Sequence, residues 1–194
     1  IYQIIHSHEK WQLERYSFKE IATKLKYTPM AITNAVENLK YHELVEVKGE
    51  KEKYIKFKYE RIELWNIAME QNLLLNPVLK TVFVDVKPKD VNMLKTNASA
   101  LPEYTDLNPS KQQYFAMEKT VFYGLQKSNA LVNPNDYEGN YAIEVWKYDP
   151  LTLVDEMLND MSVVDPLSLY LSLKDSHDER VEMALEQIIA KIIW

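Results

Sequence analysis

Lys48, Lys51, Lys53, Lys56 and Lys58 recur every two or three positions, interleaved with Tyr54, Ile55 and Phe57. Cations spaced in this way along a hairpin suit a row of phosphates. Pairing with phosphate releases counterions, so such binding weakens with salt. The same pattern also suits a charged edge strand that keeps itself soluble. Just upstream stand Thr28, Thr33, Asn34 and Asn38. A threonine hydroxyl can bond phosphates or base edges, and an asparagine amide matches adenine N6 and N7. Lys24 and Lys26 precede them and extend the phosphate-directed charge. From Ser17 to Lys58 there are nine Lys against six Glu, a balance of +3. Double-stranded DNA is the partner these residue types fit.

Other constellations are thinner. Asp85-Val86-Lys87 has the acid-x-Lys form of metal nucleases, where carboxylates hold Mg²⁺ and lysine steadies the attacking water. Glu144 and Lys147 are the nearest second pair, at a spacing one residue too long. A nuclease would need Asp85 and Glu144 to converge on one ion, whereas charged strand ends explain both segments. Asp175-Ser176-His177-Asp178 contains triad residue types, but triads are assembled in space rather than from consecutive residues. Gly49, Gly124 and Gly139 are too scattered to form a phosphate-cradling loop. His6 and His8 are two apart and do not share a helical face, so they make a poor metal pair. No catalytic residue, metal or cofactor is expected, and the chain is not expected to be an enzyme.

The elements that must position the basic and polar residues are legible. Ser17-Phe18-Lys19-Glu20 is a capping box. Phe18, Ile21, Ala22 and Leu25 follow on one helical face. Lys26 and Tyr27 form a turn. Thr28 can cap a second helix, with Pro29 at its first position. Ile32, Ala35, Val36 and Leu39 bury one side of that helix. Met30, Ala31, Thr33, Asn34, Glu37 and Asn38 are left on the other. Leu44, Val45 and Val47 open a strand, Gly49 marks a hairpin tip, and Tyr54 to Tyr59 return. A helix, a tight turn, a second helix and a basic hairpin are the plan of a winged helix-turn-helix, which places its second helix in the major groove.

The run Thr28 to Val45, TPMAITNAVENLKYHELV, resembles the recognition helix and following strand of MarR-type winged-helix regulators. The resemblance implies a transcription regulator that binds duplex DNA, usually as a homodimer. It covers about the first third of the chain. In that family Arg often stands where Asn34 does, and Gly where Glu43 does. The first departure removes the commonest guanine contact. The second requires a non-glycine residue to adopt a left-handed helix end.

The remaining chain reads as a second domain, with residues 1–72 the first and 73–194 the second. The chain has 194 residues and 46% hydrophobic content, enough for a real core. Residues 1–72 carry 12 Lys and Arg against 11 Asp and Glu, whereas 73–194 carry 11 against 18. The acidic half is unsuited to nucleic acid and could hold a basic protein or simply be solvated. Cysteine is absent, which fits a reducing, cytoplasmic setting. No apolar run reaches the length of a membrane span, and no secretory leader is expected near Ile1.

Helices are expected over Ile1–Leu13, Tyr59–Asn72, Asp90–Tyr104, Val121–Lys127, Pro166–Leu173 and Asp178–Trp194. Strands are expected over Thr81–Val86, Gln113–Glu118 and Tyr141–Tyr148, and a strand end or short helix over Leu151–Met161. On the helix after the hairpin, Ile62, Trp65, Met69 and Asn72 should share a face. The whole is α+β: a winged helix-turn-helix followed by a mixed α/β domain. Asn97 to Thr105 with Gln113 to Ala116 are similar to the second domain of AbiEi-type antitoxins, and the later Val164 to Tyr170 and Asp178 to Val181 are similar to segments of winged-helix proteins of that broad group. That resemblance implies autoregulation of an operon and a nucleotidyltransferase-like toxin as partner of the acidic domain. The alternative from another class is a protein-interaction module that uses the winged helix as a scaffold.

Overall fold

The computed structural model describes residues 1–7, 11–154 and 162–192. The chain is mixed α+β and divides after Leu75 into two compact units.

The N-terminal unit begins with α1 (Tyr2–Ser7), a 3₁₀ turn at Leu13–Arg15, α2 (Phe18–Lys24) and α3 (Pro29–Tyr41). Of the helix expected over Ile1–Leu13, Tyr2–Ser7 is helical and Leu13 belongs instead to the 3₁₀ turn. Gln12 takes a left-handed conformation (φ 49°) that a continuing helix does not allow. His8 lies outside the described residues. The capping box at Ser17 forms in both directions. Its backbone N–H and hydroxyl donate to Glu20 at 2.7 and 2.8 Å, and Glu20 N–H donates back to the Ser17 hydroxyl at 3.4 Å. These donors, the Ser17 backbone first, hold the Glu20 carboxyl below its ordinary range. Phe18, Ile21, Ala22 and Leu25 are buried, as are Ile32, Val36 and Leu39 of α3, while Ala35 is half-buried.

Strands β1 (Val45–Lys48) and β2 (Tyr54–Phe57) pair antiparallel, from Val45 opposite Phe57 to Lys48 opposite Tyr54. Tyr59 falls outside the return strand. Ser17 makes a single bridge to Tyr54, and Phe18 N–H donates to Lys53 O at 2.9 Å, so the entry to α2 is tied to β2. Gly49 has φ 89°, and a Cβ there would collide with the Glu52 carbonyl, so the hairpin tip requires glycine. Helix α4 (Arg61–Glu70) follows. Its buried residues are Leu64, Trp65 and Ala68, whereas Ile62 and Asn72 are exposed and Met69 is half-buried. The expected face is thus rotated toward Leu64. Trp65 is fixed by Tyr2, whose ring meets it edge-on at 6.3 Å.

The C-terminal unit is built on a four-stranded sheet in the order β3, β6, β5, β4, with β3 (Val78–Val84), β4 (Leu94–Lys95), β5 (Gln113–Glu118) and β6 (Tyr141–Trp146). β3 runs antiparallel to β6, and β4 antiparallel to β5. β5 and β6 are parallel, which demands a crossover, and α6 (Lys119–Lys127) supplies it. Two apolar layers cover the sheet. Val82, Val84, Phe115, Met117, Ile143 and Val145 pack with Phe122 of α6 on one face. Ala116 and Trp146 pack on the other face against α7 (Pro166–Leu173) and α8 (Glu179–Ile192). Asp165 caps α7 by accepting from Ser168 N–H at 2.9 Å.

The helix expected over Asp90–Tyr104 is replaced by β4, a 3₁₀ turn at Asn97–Ser99 and the single turn α5 (Leu101–Tyr104). Leu94 and Lys95 are drawn into pairing with Ala116 and Phe115, and Asn97 is left-handed (φ 50°). Ladder bonds that a local pattern cannot reveal outweigh its helical character. The small residues still serve close packing, since Ala100 is fully buried. Strand β3 begins at Val78, earlier than expected, and ends before Asp85. Within Leu151–Met161, Pro150–Leu153 forms a 3₁₀ turn, and residues 155–161 lie outside the described residues.

Candidate nucleic-acid interface

Thr28 and Pro29 start α3 as their types dictate. The Thr28 hydroxyl accepts from Ala31 N–H at 3.2 Å, so its own proton remains available. Thr33 differs from expectation. Its hydroxyl donates to Pro29 O at 3.0 Å, so its proton is committed to the helix and only lone pairs face outward. Asn34 and Asn38 are exposed, and among the described residues neither side chain has a hydrogen-bond partner.

Helix α3 ends in a Schellman motif. Leu44 N–H donates to Leu39 O at 2.9 Å and Glu43 N–H to Lys40 O at 3.0 Å, with Glu43 at φ 60°. Leu39 and Leu44, brought together by this turn, are both fully buried. Glu43 thus occupies the conformation glycine would favour, and the turn sends the chain straight into β1. Helix α2 closes in the same way, with Lys26 left-handed at φ 57°.

On the hairpin, Val45, Ile55 and Phe57 are buried while Glu46, Lys48 and Lys56 are exposed. Lys56 stands opposite Glu46, and Lys48 opposite Tyr54. Lys48 and Lys56 are therefore diagonal neighbours on the outward face, about 7 Å apart by sheet geometry. Lys51 and Lys53 occupy the exposed tip loop. Lys24 sits with its ammonium 4.3 Å from the centre of the Tyr16 ring, a cation–π contact that steadies it. Glu14 carries a role that sequence pattern did not reveal. Its carboxylate accepts from Phe57 N–H at 2.7 Å and anchors the outer edge of β2 across 43 positions. Nothing local to Glu14 signals that partner.

The acid-x-Lys residues do not assemble. Glu144 lies opposite Thr81, and Asp85 stands four residues further on, just past the end of β3 and about 13 Å away at strand rise. Asp85 instead accepts from the Asn133 amide at 3.2 Å. Glu144 is not at a strand end but in the middle of the sheet, 2% exposed. It accepts from Asn97 Nδ2 at 2.8 Å, Thr96 Oγ1 at 3.0 Å and Trp146 Nε1 at 3.1 Å. Burial pushes its carboxyl above the ordinary range, against the pull of those three donors. Every donor comes from the protein itself, which describes a structural anchor. The polar turn at Asp175–Asp178 closes locally, with Asp178 gripping Arg180 at 2.9 Å. Among the described residues no three His, Asp or Glu side chains cluster to hold a metal, and no helix is long and apolar enough to cross a membrane.

Comparison of the chain with protein-family models, curated proteins and solved structures finds no match.

Proposed function

We propose that residues 1–75 form a winged helix-turn-helix that binds duplex DNA, and that the chain is a non-enzymatic transcriptional regulator. The observation that carries this reading is a division of labour within one unit. Helices α2 and α3 and the β1–β2 hairpin bury one apolar face each, with Phe18, Ile21, Ile32, Val36, Val45 and Ile55 inside. The outward side of α3 keeps Asn34 and Asn38 exposed and, among the described residues, unpartnered, and the hairpin keeps Lys48, Lys51, Lys53 and Lys56 exposed. The amides suit base edges and the lysines suit phosphates. The bridge from Ser17 to Tyr54 supports the same plan, because it fastens the hairpin beside the two helices.

The test is binding of the full chain to DNA upstream of its own gene and to a scrambled duplex, across a salt series. The expected outcome is a preference for the native sequence that persists at moderate salt. Replacing Lys51 and Lys53 together by Ala should weaken binding to both duplexes and reduce the slope of log K against log salt by about 2. Equal, weak binding to both duplexes, or an unchanged slope in the double variant, would turn the unit into a scaffold for a protein partner.

A further inference from the structure

Helix α3 presents a stripe whose chemistry is selective. At 3.6 residues per turn, Met30, Asn34, Glu37, Asn38 and Tyr41 fall within about 100° of the helix circumference. All five are exposed, Met30 at 68% and Tyr41 at 83%. The stripe contains no Arg and no Lys. Thr33, at its margin, has already given its proton to Pro29 O. Its available groups are therefore two asparagine amides, one carboxylate, one thioether and one phenol.

Guanine shows two acceptors, O6 and N7, in the major groove, and the group that suits both is a cationic fork. This stripe has no such fork, and its Glu37 carboxylate can only accept, so it is repelled by O6 and N7 and suits a base amine instead. Adenine shows an acceptor at N7 beside a donor at N6, and a single asparagine amide satisfies both. Thymine adds a C5-methyl, which calls for an apolar contact. Met30 offers an unbranched, polarisable side chain that adapts to such a surface. Met30 and Asn34 are separated by about 6 Å along the helix axis, so they address base pairs one or two steps apart.

Resting on the duplex-DNA reading above, we infer that the α3 stripe selects A·T base pairs in the major groove. Asn34 reads adenine and Met30 packs on the thymine methyl.

The experiment starts from a random-sequence duplex pool enriched on the full-length chain. The enriched sites should share an A·T core. Replacing core thymines by uracil removes only the methyl and should weaken binding several-fold. Replacing core adenines by 7-deazaadenine removes only N7 and should weaken it several-fold, in line with losing one of the two bonds of the bidentate pair. Met30→Ala should abolish the uracil effect alone, and Asn34→Ala the 7-deazaadenine effect alone. Both residues are exposed, so unchanged melting curves will show that the variants remain folded. Enriched sites with a G·C core, or indifference to both analogues, would overturn A·T selection while leaving duplex binding intact. Failure to enrich any duplex over the starting pool would overturn both.

Discussion

In the N-terminal unit Ser17 bonds Glu20, Thr28 caps Ala31 and Thr33 reaches Pro29, each within four residues. In the C-terminal unit Thr96 and Asn97 reach Glu144 across 48 and 47 positions, Tyr104 reaches Val164 across 60, and Asn76 reaches Ser172 across 96. A bond closed within one helical turn forms whenever that turn forms, so it constrains little beyond itself. A bond between distant segments exists only when the whole sheet is assembled, and it then helps to specify that assembly. The first unit can therefore leave polar groups such as Asn34, Asn38 and the hairpin lysines in water. The second draws its most chemically loaded residue, Glu144, inward and surrounds it with donors.

The sharpest way to break this contrast is to remove the long-range acceptor. Glu144→Ala strands the Thr96 hydroxyl, the Asn97 amide and the Trp146 indole N–H in a buried site. It should cost about 3–5 kcal/mol of unfolding free energy, combining unsatisfied donors with a cavity. Urea unfolding of the full chain measures it. Glu144→Gln, which keeps one carbonyl acceptor and removes the charge, should cost far less. It should also alter the pH profile in a defined sense. Because burial raises the folded carboxyl above its ordinary 4.5, the native state holds a proton that the unfolded state has released. Stability of the native protein should therefore fall as pH rises from 4.5 through the raised value, and Glu144→Gln should flatten that segment. An unchanged profile in the variant would mean that Glu144 does not titrate in the fold.

Glu14 gives a smaller test within the first unit, since its bond to Phe57 is a long-range one there. Glu14→Ala leaves the Phe57 N–H without its acceptor and should cost about 1–2 kcal/mol. Faster hydrogen exchange at Phe57 should accompany the loss. Thr28→Ala removes only a cap and should cost about 1 kcal/mol, with exchange confined to the first turn of α3. If the Thr28 variant instead loosened the hairpin amides, the distinction between local and long-range bonds would fail for this unit.

The same division decides what could be read from the chain. Capping box, turn, Pro29 and the α3 stripe follow from neighbours within four residues, and so they were legible at Ser17–Asn38. Strand β5 and helix α7 were legible for the same reason, through alternation at Gln113–Glu118 and the Asp165-Pro166 start. Asp90–Tyr104 was misread as helix because Leu94 and Lys95 answer to β5, some twenty positions away. Glu144 looked like an exposed strand charge because its partners Thr96 and Asn97 are remote, and Glu14 had no local sign of Phe57 at all. In the candidate interface the residue types were visible, whereas the loss of the Thr33 proton required the backbone geometry of Pro29.

The smallest expected effect concerns glycine. The chain holds only three, yet α2, α3, α4 and α6 all end in left-handed residues, namely Lys26, Glu43, Asn72 and Asn129. Asparagine tolerates that region, whereas Lys26 and Glu43 pay the full Cβ clash of about 1 kcal/mol or more. Glu43→Gly relieves the clash, but it also frees the unfolded chain, so the net gain should be about 0.5–1 kcal/mol. The Schellman bonds from Leu44 to Leu39 and from Glu43 to Lys40 use backbone atoms alone and survive the change. The same substitution at Asn72 should gain less, because asparagine already accepts the conformation. Equal gains at both positions would show that side-chain sterics do not set the strain at these helix ends, and that the local rules governing the N-terminal unit are weaker than its geometry implies.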